Sequence, residues 1–191
     1  MPESGTGVRT PVPDFFGNFK VSPNENFALD YNFALDNNLT NNPHPHLTFE
    51  GRYLQFVKIS DNPNVNEQEP QILYTAIHHA REPASLQQLI FYMWYLLENY
   101  EDSQEIRDIV NNTELYFIPC VNPDGYIFNE TIEPQGGGMW RKNRFNEHGV
   151  DNNRNYSYID TNGNEVWNTA GTSNDISNNT YAGTEPFSES E

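Results

Sequence analysis

ILYTAIHHAREPASLQQLIFYMWYLLENY, residues 72–100, is the stretch whose reading decides the fold class. Its opening run, ILYTAI, has the length and the β-branched and aromatic character of a buried strand. From Ala84 to Tyr100 no Gly or Pro interrupts the chain and apolar residues fall on nearly every side. That pattern predicts a buried helix, with the aromatics of WYLLE in its core. Between the two lies HHAREP, residues 78–83. Two histidines, an arginine and a glutamate at that junction fit either a metal-binding turn or a helix cap.

Working outward, YLQFVKIS from Tyr53 reads as a strand and DNPNVNEQEP as a turn-rich loop. Downstream, Ser103 offers an N-cap for a short helix over QEIRDIV, and LYFIPCV reads as a strand ending in the turn NPDG. Strand, loop, strand, helix, helix, strand is an α/β order of elements. Beyond Gly125 apolar periodicity fades and a succession of loops is expected, until YAGTEPFSESE suggests a helix start capped by Ser188. Residues 1–50 are rich in Pro, Asn and Phe, with NFALD at 26–30 and again at 32–36. A short helix around Phe33 is the only element they suggest. His44 and His46, in the loop NNPHPHL, read as solvated side chains before they read as ligands.

Composition narrows the partners. Lys+Arg 10 against Asp+Glu 27 gives a net charge of -17, which repels phosphate backbones and anionic lipid, so neither nucleic acid nor a membrane surface is expected. No apolar stretch is long enough to span a membrane, and MPESGTGVRTP lacks the features of a signal peptide. The single cysteine, Cys120, can form no internal disulfide and reads as a core residue.

In open α/β sheets, ligands bind beyond the carboxyl ends of strands, where HHAREP is predicted to lie. The three-residue spacing of His79 and Glu82 lets an imidazole and a carboxylate reach one ion from a tight turn. Catalytic zinc takes three protein ligands, so a third must come from elsewhere. Arginines are scarce, yet MWRKNR (139–144) holds Arg141 and Arg144, and GVDNNRNY (149–156) holds Arg154 beside Asn153. A cation near a metal together with an Arg–Asn pair suits a substrate bearing a carboxylate. Each arginine taken alone reads first as a solvated surface pair, and only the set points to a site. DTNGNEVW (160–167) is oxygen-rich like a calcium loop but lacks the ligand spacing, so a hairpin turn at Asn162-Gly163 is expected.

Taken in order, EGR, VKISDNP, HHAREP, NPDGY, WRKNR, GVDNNRNY and PFSE resemble the zinc carboxypeptidase family typified by carboxypeptidases A and T. The resemblance spans roughly residues 48–189. It divides the chain into a poorly matched, Asn/Pro-rich N-terminal segment, 1–47, and the N-terminal part of a catalytic domain, 48–191. It implies an α/β/α sandwich on a mixed, largely parallel sheet, phosphorylase/hydrolase-like and incomplete in this chain. The cofactor implied is Zn2+, with His79 and Glu82 as ligands and Asp151 accepting from the other nitrogen of His79. Arg141 would polarise the scissile carbonyl, Asn153 and Arg154 would grip the substrate's terminal carboxylate, and Arg81 would line an outer subsite. His78 would be structural or support the ligands from behind. The family's third ligand, its catalytic glutamate and its closing tyrosine lie downstream of the last motif, so the chain reads as an inactive fragment of a secreted enzyme acting on peptides and proteins. A module that binds peptide C-termini without cleaving them is the alternative, and a related zinc acylase is a third reading.

Overall fold

The computed structural model describes residues 47–191 and, upstream of them, the backbone of β1 (Phe27–Ala28). The helix expected around Phe33, and His44 and His46, lie outside the described residues. The remaining strands and α-helices are β2 (Val57–Ile59), β3 (Gln71–Thr75), α1 (Ala84–Asn99), α2 (Gln104–Val110), β4 (Glu114–Ile118), α3 (Pro123–Ile132), β5 (Tyr158–Ile159) and β6 (Glu165–Val166), with short 3-10 turns at Phe145–Glu147 and Asn152–Arg154.

Four strands form one mixed sheet in the order β1-β2-β4-β3. The β1–β2 and β2–β4 pairings are antiparallel, and only β3–β4 is parallel, so among the described residues the sheet is mixed without being largely parallel. The parallel pair requires a crossover, which α1 and α2 supply. Alternation sorts the strands' two faces. Val57 and Ile59 of β2 and Leu115 and Phe117 of β4 pack with Met93 and Leu96 of α1 and with Ile106 and Val110 of α2. Lys58, Glu114 and Tyr116 point the other way. There the Lys58 ammonium sits 2.6 Å from Glu114, whose carboxylate also accepts from the Glu67 amide, Gln71 and the Tyr116 hydroxyl. Burial alone would raise the Glu114 pKa, but these four donors bring it down to about 2.

Three expectations fail. β3 forms where expected, yet Ile72 and Leu73 are exposed, because α1 and α2 cover β2 and β4 instead. Helix α1 is likewise apolar all round but buries only one stripe, leaving Phe91 59% exposed with Trp94 and Tyr95 beside it. NPDG is not a free turn followed by loops. It starts α3, because the Asn122 side chain accepts from the Gly125 amide and Pro123 occupies the first helical position, both helix-start signals. The Ser188 hydroxyl and the Glu189 amide are held by Asn155. The Ser103 cap on α2 is present, and DTNGNEVW forms the β5–β6 hairpin, with Gly163 at φ +82 in its turn.

Candidate functional site

Because β3 and β4 run parallel, their carboxyl ends open on the same edge, and the segments leaving them build the site. After β3 the chain turns sharply at Ile77, a β-branched residue held at φ +48, where such side chains are strained. The next residues are the two histidines. After β4 it reaches Asn122, fully buried, whose amide donates to the carbonyls of Lys142 (3.0 Å) and His78 (3.3 Å). Gly125 follows within α3. A Cβ there would stand 2.6 Å from the Lys142 carbonyl and 2.8 Å from the Ala80 side chain, so only glycine admits this approach. HHAREP, NPDG and WRKN are thereby locked together, with the Ala80 amide bonded to the Arg141 carbonyl at 3.0 Å.

His79 is buried and bridges two carboxylates. Its Nδ1 lies 3.0 Å from both Glu82 oxygens and its Nε2 3.0 Å from Asp151 Oδ1. The two sides differ: the Asp151 side chain is fully buried, whereas that of Glu82 is 53% exposed. Asp151 also receives the Asn153 amide on Oδ1, and Nε and Nη2 of Arg141 on Oδ2 at 3.1 and 2.9 Å. Burial pushes its pKa up, but the hydrogen bonds from His79 and Arg141 and the guanidinium charge leave it below the usual carboxylate range. The remaining Arg141 nitrogen, Nη1, faces Glu82 at 3.6 Å.

Among the described residues, Arg81 and the side chain of exposed Asn153 make no hydrogen bond or ion pair. Arg154 is partly committed, donating to the carbonyls of Gly171 and Asn153 at 3.0 Å each. Arg144 is not part of this group. It pairs with Glu50 and stacks over Phe128 and Trp140, a packing role. Asp124 of NPDG is equally structural, buried beneath Thr48, the Glu50 amide and Arg52 of EGR.

Sequence reasoning missed several buried asparagines. Asn129 exchanges two hydrogen bonds with the Trp140 backbone. Asn143 accepts from the amides of Phe145 and Val150, and Asn155 donates to Ala182, Glu185 and Ser188. A carboxamide carries the same donor and acceptor as a peptide group, so it can splice a loop where no strand is available. The signal was the excess of Asn within the motifs themselves.

The His79 and Glu82 donors form a nitrogen and oxygen set of the kind zinc takes, and the carboxylate behind His79 holds Nε2 so that Nδ1 is the nitrogen facing Glu82. Among the described residues the only group of three with ligand atoms mutually close is Asp61, Glu67 and Glu69, on the loop before β3. Burial, then the charges of Glu67 and Asp61, raises the Glu69 pKa.

The chain matches the family described as zinc carboxypeptidase over residues 35–191. It is 35% identical over 132 residues to a zinc carboxypeptidase of Saccharothrix mutabilis subsp. capreolus, covering 63% of this chain and 30% of that protein. Carboxypeptidase B of Helicoverpa zea is 35% identical over 152 residues, covering 75% and 32%. Among solved structures, carboxypeptidase A of Helicoverpa armigera superposes with a TM-score of 0.60 at 29% identity, covering 76% of this chain and 33% of that one. The chain thus spans about a third of the length of these relatives. Among the described residues no helix is long and apolar enough to cross a membrane.

Proposed function

The chain belongs to the zinc carboxypeptidase family, and from that premise we propose that it carries part of the site of a secreted zinc metallocarboxypeptidase, which hydrolyses the C-terminal bond of peptides and proteins. One observation supports this above the others: Asp151 holds His79, Arg141 and the Asn153 amide at once. A single buried carboxylate therefore sets a metal ligand, a cation and a substrate-binding segment in mutual register. The sheet and helices are, in this reading, part of an α/β/α sandwich of the phosphorylase/hydrolase type, built by residues 48–191.

His79 and Glu82 would hold the zinc on the exposed side of the imidazole, with Asp151 maintaining the ring's tautomer. Bound zinc supplies Lewis acidity toward a peptide carbonyl and lowers the pKa of water. Arg141 would keep Nη1 available to a developing oxyanion while Asp151 restrains its other nitrogens. Asn153 and Arg154 would grip the terminal carboxylate, and Arg81 would meet the substrate further out. The third ligand and the carboxylate base are not among residues 1–191 in this reading, so the chain by itself would bind without turning over.

The test is titration with one peptide in free-acid and C-terminally amidated forms. Amidation, and separately Arg154→Ala, is expected to weaken binding about tenfold or more, as loss of a charge-assisted pair would. Equal affinity for acid and amide would rule out the carboxylate clamp. A second reading, a module that binds C-termini without cleaving them, shares the clamp. Zinc-dependent release of C-terminal residues by the full-length protein would separate the two.

A further inference from the structure

His79 and its neighbour His78 hold opposite ends of one segment. His79 bonds Asp151, where the segment begins, while His78 Nε2 lies 3.0 Å from the hydroxyl of Tyr156, just beyond Arg154. The His78 and Tyr156 rings also meet edge to face at 5.7 Å, and Tyr156 meets Phe187 the same way at 5.9 Å. The His78 carbonyl is fixed from behind by Asn122. Between the two ties lie Asn153 and Arg154. Asn155 ties this segment to Ala182, Glu185 and Ser188 on the side away from the metal turn, so the His78–Tyr156 bond is what joins its far end to that turn. Tyr156 is 46% exposed, so the core does not depend on it for packing.

We propose that His78 and Tyr156 are positioning residues: their hydrogen bond latches the carboxylate-binding segment to the metal turn, fixing Asn153 and Arg154 in direction relative to His79 and Glu82. This rests on the metal and carboxylate reading above. It gives His78 a part that its neighbour cannot play, since the His79 ring is already committed to Asp151 and Glu82. Misplacement of a positioning group by about 1 Å is enough to lose a large part of its effect, so a latch at this point matters for binding geometry more than for folding.

Tyr156→Phe keeps the ring and both edge contacts and removes only the hydroxyl. The affinity of the 191-residue chain for a free-acid peptide is measured with and without saturating zinc, and the ratio is the coupling between the two sites. The latch predicts that this ratio falls about fivefold or more in Tyr156→Phe, while affinity for zinc alone stays within about twofold. His78→Gln, which keeps an amide within reach of the hydroxyl, should retain more of the coupling than His78→Ala. An unchanged ratio in Tyr156→Phe, or an equal loss of zinc affinity alone, overturns the proposal. If the unmodified chain binds no zinc, the metal reading fails on its own, and the latch is decided by amide exchange in metal-free protein. Exchange from Asn153 through Tyr156 should then accelerate about tenfold in Tyr156→Phe, and unchanged rates would overturn the latch.

Discussion

Two regions of this molecule break the usual pattern of apolar inside and polar outside in opposite directions. At the junction of HHAREP, NPDG, WRKN and GVDNNRNY the interior is polar: Asn122, Asp124, Asn143 and Asp151 are all fully buried. Along β3 and the outer face of α1 the surface is apolar, with Leu73 59% exposed and Phe91, Trp94 and Tyr95 grouped ring against ring. The polar junction is tolerable because nearly every buried group finds a partner. The flank needs no such partners, because its backbone is paired in the sheet and helix while these side chains face outward. Buried polarity with satisfied bonds indicates where geometry is being held.

Asn122→Leu should have the largest effect. It removes one acceptor and two donors from a site with no water access, stranding the Gly125 amide and the His78 and Lys142 carbonyls. A loss of more than about 3 kcal/mol is expected from the urea midpoint. A loss below about 1 kcal/mol would mean the junction is not held by its hydrogen bonds.

Acid should have the next largest effect, through Glu114. Its pKa is depressed from 4.5 to about 2 in the folded chain, so its contribution is complete above 4.5 and is lost as pH falls toward 2. Stability should therefore fall with acid across that window. In Glu114→Gln the slope of stability against pH should flatten between those limits, and an unchanged slope would remove the Lys58–Glu114 pair from the explanation.

Asn152→Leu sharpens the comparison from the other side. Asn152 is 3% exposed, yet among the described residues its amide nitrogen and oxygen have no hydrogen-bond partner. Replacing them with apolar atoms of similar volume should raise stability by about 1 kcal/mol. A comparable loss would show that the amide is satisfied after all.

The smallest effect is expected on the flank. Phe91→Glu with Trp94→Glu should leave the melting temperature within the equivalent of about 0.5 kcal/mol while lowering light scattering at high concentration. A large destabilisation would place these rings in the core, as their sequence pattern suggested.

The outcome at these positions explains what sequence could reveal. The crossover from β3 to β4, the Ser103 cap and the β5–β6 hairpin follow from local rules of period and capping, and all were legible. Which apolar residues are buried was not, because period says that α1 has an apolar face on every side but not which face meets the sheet. Helix α3 was missed because NPDG satisfies turn and helix-start rules equally well. In the site, His79, Glu82, Asp151 and Arg141 were named from motif order, and the structure brings those four together. The convergence of Arg141 on Asp151, and the asparagines that splice the loops, depend on pairings between segments far apart in sequence. No spacing rule carries that information.

The most direct test of the site is a zinc titration of the 191-residue chain against a competing chromophoric chelator, alongside His79→Ala and Asp61→Ala. A metal turn at HHAREP predicts one zinc per chain, lost in His79→Ala and retained in Asp61→Ala. Zinc that binds His79→Ala as tightly as the unmodified chain, or that is lost only with Asp61, would contradict it.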